Sequence, residues 1–163
     1  MRARRIECKG AEIMKRQAWK RMQAWLLVVA MLVSVVTGIG TTKTAKAATK
    51  MGVTYTVHVQ TYGDQQGWVH DGTMAGTKGQ AKRLEEIRVK LTGDEYSGSI
   101  QYKTHIQSYG WQDWSYNGEK SGSRGQAKRL EGIEIQLTGE VAKHYDVVYR
   151  VHCQTYGWMD WVK

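Results

Sequence analysis

Tyr102-Lys103-Thr104-His105-Ile106-Gln107-Ser108-Tyr109-Gly110 decides how this chain folds. Tyr102, Thr104 and Ile106 fall on one side of an extended backbone, and Lys103, His105 and Gln107 on the other, which is the period of a half-buried strand. The same pattern occurs 47 residues upstream as Tyr55-Thr56-Val57-His58-Val59-Gln60-Thr61-Tyr62-Gly63. It recurs 47 residues downstream as Tyr149-Arg150-Val151-His152-Cys153-Gln154-Thr155-Tyr156-Gly157. A second half follows twice: Trp68 to Gly93 and Trp114 to Gly139 agree at 14 of 26 positions, so the likeness is a repeat and not a shared composition. In this half, Ile87-Arg88-Val89-Lys90-Leu91 and Ile133-Glu134-Ile135-Gln136-Leu137 alternate again, and each runs into Thr-Gly. Asp71-Gly72 and Asn117-Gly118 supply the positive φ of tight hairpin turns, and further glycines at 76, 79, 122 and 125 argue against helix after the N-terminal region.

Charge separates the chain into two parts. Of 163 residues, 24 are Lys or Arg and 15 Asp or Glu, a net charge of +9, but residues 1–47 hold ten basic and two acidic groups, so +8 of the total sits there. The remaining 116 residues carry a net +1, which gives them no general attraction to phosphate and excludes nucleic acid as a partner class. Ala24 to Val36 is a run of 13 uncharged, mostly apolar residues behind a basic stretch and ahead of Ala45-Lys46-Ala47. It falls short of the roughly 20 residues of a spanning helix. Residues 1–47 therefore read as a signal peptide with an apolar helix, cleaved near Ala47, its start at Met1 or Met14, and its membrane contact confined to that segment. Export to the cell surface or the medium follows. Of the two cysteines only Cys153 would remain after cleavage, in a strand position that Val59 and Ile106 fill elsewhere, so it reads as a small buried side chain with no intrachain disulfide.

The expected fold is all-β with pseudo-threefold repeats, prism-like or trefoil-like, each unit burying its apolar side against its siblings. Repeat 1 spans 53–98, repeat 2 spans 99–145, and 146–163 forms a partial third repeat that stops at Trp161-Val162-Lys163. On this reading the chain is a truncated fragment, or its open strand edge invites self-association into a homo-oligomer.

The segment from Tyr102 through Gly110-Trp111-Gln112-Asp113-Trp114, then Asn117-Gly118, Gly122 and Gly125-Gln126-Ala127-Lys128-Arg129-Leu130-Glu131-Gly132-Ile133, resembles the clostridial hydrophobic repeat with its conserved tryptophan, the ChW family. The resemblance covers nearly all of the chain beyond residue 47. It implies an exported, surface-associated protein of Gram-positive bacteria whose repeats act as accessory modules in polysaccharide binding or adhesion. The first repeat departs from the pattern, with Gly63-Asp64-Gln65-Gln66-Gly67-Trp68 in place of Gly-Trp.

Trp111-Gln112-Asp113-Trp114 and Trp158-Met159-Asp160-Trp161 are the richest constellations. An indole face can stack on the C–H face of a sugar while a neighbouring carboxylate accepts hydrogen bonds from its hydroxyls. Trp111, Asp113, Trp158 and Asp160 are the candidate ligand contacts. Trp68, Trp114 and Trp161 occur in all three repeats and are expected in the core with Tyr55, Tyr102 and Tyr149, since the chain has no Phe to fill it. His58, His105 and His152 could converge as three metal ligands, but their place on the polar strand face suits a repeated structural hydrogen bond, and no metal or other cofactor is expected. Lys82 to Glu85 and Lys128 to Glu131 read as a salt-bridged solvent face. No nucleophile elbow, Cys–His pair or phosphate loop occurs, and a non-catalytic module is the expectation. Its partner would be a polysaccharide or cell-wall glycan. The competing reading is a structural or adhesive module with internal tryptophans that meets a surface protein.

Overall fold

In a computed structural model of the chain, residues 8–17 and 47–163 are described, the former as backbone only. The chain after residue 47 is almost entirely strand and turn. β1 (Cys8–Gln17) is followed in repeat 1 by β2 (Gly52–Val59), β3 (Val69–His70), β4 (Ala75–Gly76) and β5 (Leu84–Thr92). Repeat 2 supplies β6 (Ser99–Ile106), β7 (Gly110–Trp111), β8 (Ser115–Tyr116), β9 (Ser121–Gly122) and β10 (Leu130–Thr138). Then come β11 (Tyr145–Cys153) and β12 (Gly157–Trp158). They form three four-stranded sheets: β3-β2-β5-β9, β10-β6-β7 with β8 beside β6, and β12-β11-β1-β4.

Each sheet is built on one long antiparallel pair, and the three pairs share a register. Tyr55 stands opposite Val89, Tyr102 opposite Ile135 and Tyr149 opposite Ile13. All three carry a bulge at the same place, between His58 and Val59, between Leu130 and Gly132, and between Cys8 and Gly10. The alternation predicted for the opening segments is strict in β6, where Ile100, Tyr102, Thr104 and Ile106 are buried and their neighbours are not. From β2 and β5 come Tyr55, Val57, Ile87 and Val89, which join Ile100, Tyr102, Ile106 and Val147 in one core shared by all three repeats. At about 25 cal/mol per Å² of apolar surface, this shared interior is what each unit lacks by itself.

The tight turns form where Asp-Gly and Asn-Gly occur. Thr73 N donates to His70 O (2.9 Å) and Glu119 N to Tyr116 O (2.9 Å), with Asn117 and Gly118 both at positive φ. Their flanking strands do not pair with each other, however: β3 joins β2 of its own repeat while β4 joins β1, and β8 joins β6 while β9 joins β5. The turns thus stitch neighbouring sheets together.

Three findings bear on what the sequence suggested. The edge of β11 is not left open, because β1 lies on it throughout its length, in the position β5 takes on β2. The same register sets Cys8 opposite Cys153, which is buried. Most of the expected leader, including the apolar stretch 24–36 and the cleavage region at Ala47, falls outside or at the border of the described residues; its described part, Cys8–Gln17, is a strand. Finally, a four-residue helix, α1 (Val141–His144), interrupts the glycine-rich linkers. Burial of Val141, a hydrogen bond from Lys143 Nζ to the Glu140 carboxylate (2.7 Å) and the contact of His144 Nε2 with the same carboxylate (3.1 Å) favour this single turn.

Candidate binding surface

The aromatic residues divide by strand parity and by what satisfies their polar atoms. Tyr55 and Tyr102 are wholly buried, and their hydroxyls donate to the carbonyls of Thr73 and Glu119 at the hairpin turns. Tyr149 is only half-buried, and its hydroxyl donates to Ile133 O (3.4 Å) in the neighbouring repeat. Burial pushes the Tyr102 and Tyr149 phenols above their ordinary pKa.

The tryptophans lie outside this core. Trp68 is 40% exposed and Trp161 41%, and Trp114 is half-buried, so the aligned trio expected inside is on the surface. The core is already filled by tyrosine, Ile, Leu and Val, so the lack of Phe does not force indoles inward. Trp111 is exposed at 38%, and Trp158 is half-buried.

The outer pairs are built alike in repeats 2 and 3. β7 brings Trp111 opposite His105, and the rings meet edge to face with centroids 5.5 Å apart. β12 brings Trp158 opposite His152 in the same way, at 5.4 Å. The cation two residues before each histidine then lies between the two tryptophans of its motif. Lys103 Nζ is 5.2 Å from the Trp111 ring and 4.8 Å from Trp114; the Arg150 guanidinium is 4.6 Å from Trp158 and 4.7 Å from Trp161. Each such contact contributes about 0.5–1 kcal/mol at an exposed site and fixes the indole planes. Asp113 and Asp160, between the two tryptophans of their motif in sequence, are exposed and make no ion pair or hydrogen bond among the described residues.

Repeat 1 is different. Asp64 takes the place of the outer Trp against the histidine, with Asp64 Oδ1 2.9 Å from His58 Nδ1 and Asp64 Oδ2 2.8 Å from Arg124 of repeat 2. Partial burial opposes the Asp64 charge, but the His58 hydrogen bond and the Arg124 charge prevail and hold its pKa below the usual carboxylate value. A lysine from the neighbouring strand, Lys90, covers Trp68 at 4.3 Å. Beside this loop a groove of about 310 Å³ opens, floored by Val57 and Val59 and walled by Tyr62, Gln66, Thr77 and Gln80, with no charged group in its lining.

The histidines do not assemble a metal site: among the described residues no group of three or more His, Cys, Asp or Glu could hold an ion. His58 and His105 face carboxylates instead. His105 Nδ1 is 3.2 Å from Glu131 Oε2, and His58 Nε2 is 4.0 Å from Glu85 Oε2. Arg83 and Arg129 pair with the same two glutamates at 2.8 and 2.9 Å, as the sequence spacing predicts. Glu85 and Glu131 are buried, however, and not on a solvent face. Glu85 uses this position to accept a hydrogen bond from Gly125 N (3.1 Å) of the next repeat.

A second aromatic set was missed. Tyr62, Tyr109 and Tyr156 are exposed, Tyr109 to 54% and Tyr156 to 74%. They sit on turns whose preceding residues, Thr61, Ser108 and Thr155, adopt φ of 74, 69 and 75°. That left-handed region costs about 1–3 kcal/mol for such residues and is kept in all three repeats. Lys82 Nζ donates to Thr61 Oγ1 (3.2 Å) and lies 5.6 Å from the Tyr62 ring; Lys128 Nζ repeats this with Ser108 (3.4 Å) and Tyr109 (5.8 Å). The signal was available in the repeated Tyr-Gly after each strand and in Gln-Ala-Lys one half-repeat later.

An all-β chain of internally repeated units, each displaying cation-backed aromatics beside a long antiparallel strand pair, defines a repeat module. The family model described as Clostridial hydrophobic W (ChW) matches two repeats, at residues 58–93 and 105–139. No curated protein and no solved structure matches the chain.

Proposed function

We propose that this protein is a non-catalytic module of the cell surface that binds polysaccharide through its outer aromatic side chains. ChW repeats are modules of surface proteins, which makes such a setting natural. The observation that carries the reading is the duplicated arrangement of Trp111, Asp113 and Trp114 and of Trp158, Asp160 and Trp161. In each, indoles are held in place by a cation of the chain, and the exposed carboxylate between them in sequence has no partner among the described residues. Stacking on a sugar ring together with acceptance of its hydroxyl hydrogen bonds is the chemistry this offers. Two weak sites on one rigid frame gain affinity through effective concentration when one long glycan spans both. The three four-stranded sheets are taken as the sides of a prism, with the sites at the ends of its hairpins.

Export is proposed from the basic and apolar character of residues 1–47. Cleavage after Ala47 would remove β1 along with the leader, so processed and unprocessed chains would differ at the edge of β11.

The test is retention on insoluble cell-wall and plant polysaccharides. Wild-type protein is expected to be retained by at least one, and Trp111→Ala and Trp158→Ala together to weaken retention at least tenfold without loss of the folded state. Retention that is unchanged in the double variant, or absent for every glycan, would overturn the reading. The competing protein-adhesion module with internal tryptophans has less support, because Trp68, Trp111 and Trp161 are exposed.

A further inference from the structure

The second strand of each long pair has an outer edge, and in two sheets the structure shows what lies on it. On β5 the cover is β9, with Glu86 opposite Gly122 and Ile87 opposite Ser121. On β1 it is β4, with Gly10 opposite Gly76 and Ala11 opposite Ala75. In both cases a small residue followed by glycine, from a hairpin of a different repeat, closes the edge. β10 is the third strand of this set, and among the described residues no strand pairs with its outer edge at Gly132 and Ile133. The consequence is visible in the side chains. Ile87 is 1% exposed under its cover, whereas the aligned Ile133 is only half-buried, and the Tyr149 hydroxyl turns toward the Ile133 carbonyl.

We propose that the outer edge of β10 is a docking edge for the small-residue–glycine segment of a ChW repeat carried by another polypeptide. The occupied edge of β5 defines the chemistry of that partner. Ser123 N donates to Glu85 O (2.7 Å) and Gly125 N to the Glu85 carboxylate. Glu131 is held at the matching point of β10 by Arg129 and His105, as Glu85 is held by Arg83. The approach is too close for any side chain at the glycine: a Cβ on Gly122, at φ +143°, would come 2.3 Å from Glu85 O and 2.5 Å from the Glu86 Cα. The partner therefore carries Ser or Ala, then an obligatory Gly, then a glycine three residues later, as in Ser121-Gly122-Ser123-Arg124-Gly125. Two strand pairs and two loop hydrogen bonds form a short contact, so a flexible segment alone binds weakly and one presented by a folded repeat binds well.

The experiment has two arms, both read by amide hydrogen exchange in the full chain at Ile133, whose amide and carbonyl face the outer edge while those of Gly132 face β6. In the first, a copy of residues 117–129 is appended after Lys163, which brings its Ser-Gly into the place that β9 takes on β5. Exchange at this amide is expected to slow at least tenfold, and replacing the glycine that copies Gly122 with Val should abolish the slowing. In the second, a peptide of residues 112–129 is added in trans up to millimolar concentration, with saturable slowing expected and none from its Gly122→Val form. Absence of slowing in the appended chain, or slowing that survives the valine change, would overturn the docking edge. Slowing in the appended chain but never in trans would overturn its use by another polypeptide. Light scattering that finds the unmodified chain dimeric, with this amide already slow, would assign the edge to a second copy instead.

Discussion

Tyr102 and Trp111 are both large aromatic residues of one hairpin, yet Tyr102 is fully buried and Trp111 is 38% exposed. The difference lies in what each polar atom meets. Tyr102 points inward at an even strand position and finds a turn carbonyl for its hydroxyl, so a full ring can be buried without an unsatisfied donor. Trp111 follows the turn, lies against His105, and is backed by Lys103 on the outer surface. Strand parity and a polar partner, and not side-chain volume, assign the inside and the outside of this fold.

The sharpest way to break that contrast is to truncate both. Tyr102→Ala is expected to destabilise the protein by about 3–5 kcal/mol in thermal or denaturant unfolding, the range for a lost buried aromatic. Trp111→Ala should cost less than about 1 kcal/mol, since it loses mainly a surface cation–π contact. Equal losses would erase the distinction.

Next in size is the buried carboxylate that joins the repeats. Glu85→Ala leaves Arg83 and the Gly125 amide without their common acceptor and is expected to cost about 3 kcal/mol, measured by urea unfolding. A change below about 1 kcal/mol would mean that the repeats hold together by apolar packing alone.

Tyr145 provides an intermediate case, buried but bonded to a carboxylate, with its hydroxyl 2.6 Å from Glu95 Oε2. Burial, then the Glu95 hydrogen bond and charge, raises its pKa from 10.0 to about 12. The neutral phenol is therefore favoured by folding. Its contribution is complete below about pH 10 and is lost as pH rises toward 12. Stability measured between pH 9 and 12 should fall, and Tyr145→Phe should flatten that fall.

The smallest effect sharpens the outer side. Thr61 holds a positive φ that a β-branched residue adopts at a cost, and Thr61→Gly relieves it while losing the Lys82 hydrogen bond. A net gain of up to about 1 kcal/mol is expected by calorimetry, with weaker glycan retention if the strained turn aims Tyr62.

Much of this was legible in the sequence. The 47-residue spacing of Tyr55, Tyr102 and Tyr149 and the alternation around them place the long strands, and Asp71-Gly72 and Asn117-Gly118 place the turns, because these features are local. The burial of Cys153 followed from its position in the repeat. Closure by Cys8–Gln17 was not legible, because the basic and apolar character of the region reads as a leader. Its kinship to β10 is limited to Gly10-Ala11-Glu12-Ile13 against Gly132-Ile133-Glu134-Ile135. The exposure of Trp68 and Trp161 was missed because composition says how much apolar volume a chain has, and not which residues supply it. The burial of Glu85 and Glu131 was missed because, beyond the local Arg83 and Arg129, what covers them comes from elsewhere: His58 and Gly125 for Glu85, His105 for Glu131, contacts that no local spacing encodes.

Amide hydrogen exchange across the whole chain tests the central claim most directly, that repeated strands pack a common interior and leave the tryptophan motifs outside. The account predicts slow exchange in β2 and β6 around Tyr55 and Tyr102, in step with β5 and β10. Exchange should be at least a hundredfold faster at Asp113, Trp114, Asp160 and Trp161. Slow exchange centred on the tryptophan motifs, with β2 and β6 exchanging as fast as the loops, would contradict it.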